Sequence, residues 1–258
     1  LAFNLAHTRE AVRSVKTQPI TTASDMASKL GSSPIGYLID WRDSASSALL
    51  YDLLDAGANV RVASAPFTAI TTTEGAVDFG YGTLFVAPKL QESIPQAALS
   101  LLTKAHARGL NIYTAASSYT PEGIDLGSRA FSVLSLPKVL MVTGPGTSAY
   151  GTGEIWHLLD TRVEMPITMV DSHNLRRVDL DNYTHIIMTT PLRVTGATAQ
   201  LDAFVTGGGI LWLQGASTVA WAADEDLTEA TWRMSSAKKQ AAELKRVKQN
   251  DAGAAAHG

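Results

Sequence analysis

Two stretches of the chain present the same order of elements at an offset of roughly 100 residues, and an internal repeat constrains a fold more than any single motif. The first stretch opens with the apolar run Ile35-Gly-Tyr-Leu-Ile-Asp40. A helix is predicted over 46–56, with Leu49, Leu50, Leu53 and Leu54 on one face and Gly57 as its stop. Strands are predicted over 59–63 and 83–87, the second closed by Pro88. A second helix over 95–108 has Pro95 in its first turn and Gly109 at its C-terminal cap, and a strand over 110–115 follows. The second stretch runs strand 138–143, helix 153–161, strands 167–170 and 185–189, helix 197–206 and strand 210–214. Pro191 follows its third strand as Pro88 does in the first half, and Leu53-Leu54-Asp55 aligns with Leu158-Leu159-Asp160.

Short β-branched runs without strict alternation suit strands buried on both faces, and helices between them suit crossover connections. The pattern predicts an α/β protein of two flavodoxin-like open parallel-sheet halves with flanking helices. The predicted organisation is a helical lead-in from an upstream domain (1–33), a first half (34–135), a second half (136–222), and a C-terminal helix with a frayed tail (223–258). Residues 64–82, rich in Thr and Gly, read as a long loop or hairpin. Leu227, Ala230, Met234, Ala237, Ala241 and Leu244 form a helical stripe that suits packing on its own domain or a short coiled-coil seam. The chain begins at Leu1 inside what reads as a helix, which suggests a piece of a longer protein.

Composition narrows the function. Hydrophobic residues at 45% and charged residues at 17% of 258 fit a folded chain with a sizeable core. A net charge of −3, with no basic block, argues against a nucleic-acid partner. The absence of cysteine removes disulfides, thiolate metal ligands and cysteine nucleophiles. No apolar run reaches the roughly 20 residues of a membrane span, and no signal peptide is visible.

In open α/β sheets ligands sit beyond the C-terminal strand ends, which directs attention to the loops after Asp40, Thr143, Ala115 and Gln214. The loop Gly144-Pro-Gly-Thr-Ser-Ala-Tyr-Gly-Thr-Gly153 offers backbone amides before a helix, with Gly144, Ser148, Tyr150 and Glu154 as candidate crevice residues. It lacks the Gly-Lys-Ser/Thr of a phosphate loop and the spacing of a dinucleotide fingerprint, and Glu154 would repel a phosphate. Asp40, Arg42 and Asp43 occupy the matching place in the first half. Two carboxylates suit metal or acid–base work, but Arg42 between them more simply gives an ion pair or helix cap. Ser117 and Ser217 are the only candidates for a strand-end nucleophile; neither sits in a Gly-x-Ser-x-Gly turn or has an obvious catalytic histidine after it. His7 and Glu10 have the His-x-x-Glu spacing of a zinc site without a third ligand, so a solvated helix face is the simpler reading. No catalytic residue and no metal ligand are assigned.

Three segments carry a family resemblance: Leu136–Gly144 with Gly153–Asp160, Val60-Arg-Val-Ala63 with Pro66-Phe-Thr68, and Thr120-Pro-Glu-Gly-Ile-Asp-Leu-Gly-Ser128. Over about residues 35–222 the chain resembles the C-terminal class I glutamine amidotransferase-like domain of bacterial zinc carboxypeptidases of the carboxypeptidase A-like metallopeptidase family. The resemblance implies a secreted or periplasmic parent and a zinc site upstream of this chain, with no cofactor here. It implies the upstream peptidase domain as partner, with a homo-oligomer also possible. Amidotransferases of this class use a Cys-His-Glu triad, so a chain without cysteine is expected to be a non-catalytic accessory domain. The alternatives are a stand-alone serine-dependent hydrolase using Ser117 or Ser217, or a small-molecule-binding module using the loop from Gly144 to Glu154.

Overall fold

The computed structural model describes residues 30–31, 33, 35–88, 96–192 and 197–228. The chain is a mixed α/β protein that divides into two units between Leu136 and Pro137. In the first unit β1 (Tyr37–Ile39), α1 (Ala45–Asp55) and β2 (Val60–Ala63) follow in order. Then come β3 (Phe67–Thr71), β4 (Gly75–Phe79), β5 (Leu84–Val86), α2 (Gln96–Ala107), β6 (Ile112–Thr114), β7 (Glu122–Gly123) and β8 (Phe131–Val133). The main sheet has the order β6-β1-β5-β2-β8, and every neighbouring pair is antiparallel.

That order interleaves two crossovers. The β1–α1–β2 unit leaves room for β5 between its strands, and β5–α2–β6 leaves room for β1. This is the split βαβ connectivity of ferredoxin-like sheets. Period-2 alternation sends Tyr37, Ile39, Val60 and Val86 to one face, where Leu49 and Leu53 of α1 and Ala98 and Leu102 of α2 cover them. Leu38, Ala63 and Phe85 point to the other face, which the hairpin β3–β4, extended by β7, covers with Phe67, Ala69 and Phe79. Phe131 sits in this second layer, edge-on to Phe67 at 5.3 Å and to Phe85 at 5.7 Å.

The expectation of a flavodoxin-like parallel sheet over 34–135 is therefore corrected. Strands β1, β2, β5 and β6 and both helices lie where expected, and the hairpin over 64–82 forms, but the sheet is antiparallel and gains an unexpected edge strand, β8, while β7 extends the hairpin. Apolar runs such as Tyr37-Leu-Ile39 suggest a parallel sheet because they demand burial on both faces. Here both faces are buried by different means, helices on one side and a hairpin on the other.

The second unit contains β9 (Val139–Thr143), α3 (Ala149–Trp156), β10 (Ile167–Asp171), β11 (His185–Met188), α4 (Ala197–Thr206), β12 (Ile210–Leu213) and α5 (Ala216–Asp224). Its sheet has the order β10-β9-β11-β12, and all pairs are parallel. The β10–β11 connection makes two 3-10 turns, Ser172–Arg177 and Leu180–Asn182. They bury Leu175 and Leu180 in the same core cluster as Leu140, Val142, Ile186 and Met188, and this packing turns the connection into a crossover. Ala197, Leu201 and Phe204 of α4 complete that layer.

Two further expectations change in this unit. The third helix starts at Ala149 rather than 153, because Ser148 caps it and accepts a hydrogen bond from the Gly151 amide at 3.4 Å. Gly151 and Gly153 thus lie inside the helix. It then continues as a π-helical turn, His157–Arg162, which contains Leu158-Leu159-Asp160. Leu158 is 50% exposed whereas its aligned partner Leu53 is fully buried, so that sequence match is not a structural equivalence. Helix α5 ends at Asp224 and residues 225–228 are not helical; Leu227 packs on the α4 side of the sheet, and the rest of the expected helical stripe, from Ala230 onward, lies outside the described residues. The lead-in helices before residue 30 also lie outside them.

Candidate functional site

The two carboxylates of the first candidate loop each close a local turn. Asp40 is nearly buried at the end of β1, and Arg42 grips it through Nε at 3.0 Å from Oδ1 and 2.8 Å from Oδ2, with Nη2 also on Oδ2. The Arg42 amide donates to Asp40 Oδ1 at 2.9 Å. The Arg42 hydrogen bond holds the Asp40 carboxyl below the usual carboxylate range, against the opposing effect of burial. Asp43 accepts from the Ala45 amide at 2.9 Å, just where α1 begins. The ion pair that Arg42 suggested is present and engages both Asp40 oxygens, whereas Asp43 closes a turn through Oδ1 just before α1, whose N-cap Ser44 makes no side-chain cap bond.

The two candidate nucleophiles differ in placement. Ser117 Oγ accepts from the Tyr119 amide at 3.0 Å, closing its own turn. Ser217 lies exposed in the first turn of α5. His7 and Glu10 lie outside the described residues. Among the described residues, no group of three or more His, Asp or Glu side chains is placed to hold a metal ion.

The Gly144 loop is where the structure brings most together. Gly144 adopts φ +106°, and a Cβ there would stand 2.5 Å from Asp171 Oδ2. Only glycine allows the loop to pass this close to the carboxylate. Thr147 donates through its hydroxyl to the Gly144 carbonyl, and Thr190 Oγ1 donates to the Gly146 carbonyl at 3.2 Å. The crevice between β9 and β11, where the strand order reverses, is tied by Thr152 Oγ1 to Thr189 Oγ1 at 2.9 Å. The chain's own hydroxyls thus bridge the place where a doubly wound sheet would hold its ligand.

Beside this tie, between α3 and the edge strand β10, an open groove of about 560 Å³ is lined by Thr143, Gly144, Thr147, Ala149, Thr152, Gly153, Trp156 and Met169. Of the sequence candidates, Gly144 lines it, Ser148 caps the adjoining helix, and Tyr150 (87% exposed) and Glu154 face solvent on α3. Asp171 escaped the sequence reading, as did Trp156 and Met169. Met169 and Asp171 share a strand face by their spacing, but only the register of Met141 with Met169 and Thr143 with Asp171 puts that face against the Gly144 loop. Asp171 accepts from the His173 amide at 2.8 Å and lies 3.0 Å from His173 Nδ1, and both bonds meet Oδ1. These contacts, the amide first, hold its carboxyl below the usual range.

Fold and site together define a two-unit α/β protein with one antiparallel and one parallel main sheet and an apolar-walled groove at a strand-end loop of the parallel one. No family model, curated protein or solved structure matches the chain.

Proposed function

We propose that this chain is a non-catalytic accessory module of a larger zinc metallocarboxypeptidase of the carboxypeptidase A-like family, secreted or periplasmic, whose zinc site lies outside this chain. The reading rests on the resemblance carried by Leu136–Gly144, Gly153–Asp160 and Thr120–Ser128. In it, the unit from Pro137 onward is a short flavodoxin-like, amidotransferase-like sheet. One structural observation supports it best: three of the strand-end polar groups that would carry chemistry, Asp40, Asp43 and Ser117, are bound into their own turns. Asp40 is held by Arg42, Asp43 Oδ1 accepts from the Ala45 amide, and Ser117 closes on the Tyr119 amide. No helix among the described residues is long and apolar enough to cross a membrane.

The test is to purify the chain and measure zinc by mass spectrometry alongside hydrolysis of N-blocked dipeptides. The expected result is a folded protein with neither bound zinc nor activity. Stoichiometric zinc lost on His7→Ala or Glu10→Ala, together with peptidase activity, would overturn the reading. Labelling by a serine-reactive fluorophosphonate that Ser117→Ala or Ser217→Ala abolishes would instead establish a hydrolase. A second reading, a small-molecule-binding module, draws on the Trp156–Met169 groove.

A further inference from the structure

The groove between α3 and β10 has a chemical character that narrows what can occupy it. Its two large apolar walls, Trp156 on α3 and Met169 on β10, are 38% and 54% exposed, so apolar surface is already open to a ligand. Gly153 leaves the helix wall bare between them: a Cβ there would meet nothing within 4 Å. The hydroxyls of Thr143 and Thr147 are directed to the Val170 and Gly144 carbonyls, so the floor offers them weakly to a ligand.

The one full charge on the same strand face is Asp171, two residues along from Met169 and in register with Thr143. His173 engages Oδ1 through both its amide and its ring, which leaves Oδ2 beside the bare Cα of Gly144. The N-terminal end of α3 carries the opposite sign, but only about half a unit charge that fades within a turn, and Ser148 already caps it. A carboxylate outweighs it.

We propose that this groove binds an organic cation on a short apolar stem: an alkylguanidinium or alkylammonium group, the chemistry of an arginine or lysine side chain. The stem lies between Trp156 and Met169, and the head meets the Asp171 carboxylate, which adjoins the groove lining at Gly144. An anionic ligand is disfavoured by the same carboxylate. This assignment stands independently of the accessory-module reading, since it uses only residues of the second unit.

The experiment is a titration of the full chain, carrying ¹³C-methyl methionine, with n-butylguanidinium, n-butylammonium and the neutral isostere n-butylurea. The Met169 methyl resonance, assigned by its loss in Met169→Leu, should shift saturably with at least one cation and at least tenfold more weakly with the urea. Asp171→Asn keeps an oxygen for the His173 amide and should weaken cation binding at least tenfold. Gly153→Leu, which fills open space, should abolish it. Unchanged resonances of the other methionines in both variants show that the fold is retained. The proposal is overturned if neither cation shifts Met169, if butylurea matches the cations, or if Asp171→Asn or Gly153→Leu binds like the parent chain.

Discussion

Replacing Phe131 by alanine probes the layer that distinguishes this first unit from a parallel α/β half. Phe131 is 2% exposed and packs edge-on against Phe67 of the hairpin and Phe85 of the main sheet, at 5.3 and 5.7 Å between ring centres. Truncating a buried phenylalanine costs about 3–5 kcal/mol, of which each ring pair supplies about 0.5–1.5. In a parallel half, residue 131 would fall in a surface connector, where a substitution shifts stability by only about 0.5 kcal/mol. The two architectures therefore differ by several kcal/mol at one position. Native-state hydrogen exchange on the β2 and β5 amides reads this directly. At about 1.36 kcal/mol per decade, protection there should fall by roughly two to nearly four decades. Phe131→Leu, which keeps most of the apolar volume, should recover part of the loss. A change of less than about 1 kcal/mol, roughly fivefold in protection, would refute the packing of the hairpin on the sheet.

Two further expectations concern the candidate sites. Gly144→Ala places a Cβ against Asp171 at positive φ and should cost about 1–3 kcal/mol in urea unfolding, whereas Gly153→Ala, in open space inside α3, should stabilise by up to about 1 kcal/mol. Equal effects of the two substitutions would contradict the loop geometry. Asp40 has a folded pKa below its unfolded value, so its contribution is present above about pH 4 and is lost as pH falls through the folded value. Asp40→Asn should therefore lower the melting temperature at pH 7, and the gap to the parent chain should narrow as pH falls; a gap that does not narrow at all in acid would argue against the Arg42 pair as its source.

Much of the architecture was legible along the chain because it depends on local chemistry. The strands at Tyr37–Ile39, Leu84–Val86 and Val139–Thr143, the helices at Ala45–Asp55 and Ala197–Thr206, and the hairpin within 64–82 follow from apolar runs, leucine spacing and turn residues. The Asp40–Arg42 pair was readable for the same reason, since its partners are two residues apart. The groove and the carboxylate beside it were not, because Trp156 of α3, Gly144 after β9, and Met169 and Asp171 of β10 come from three segments that meet only in the tertiary fold.

The sequence by itself determined most of the strands and helices, β7 and β8 excepted, and that the central strands would be buried on both faces. It could not determine strand direction. That depends on where a connector packs: Leu175 and Leu180 insert under the sheet and carry the chain across to a parallel neighbour, whereas Phe67 and Phe79 pair in a hairpin and return β5 antiparallel to β2. The two halves share an order of elements and differ in fold because long-range burial of a few side chains, not local propensity, decides the path between them. The same long-range placement sets the Asp171 carboxylate against the bare Cα of Gly144 and opens the groove beside it.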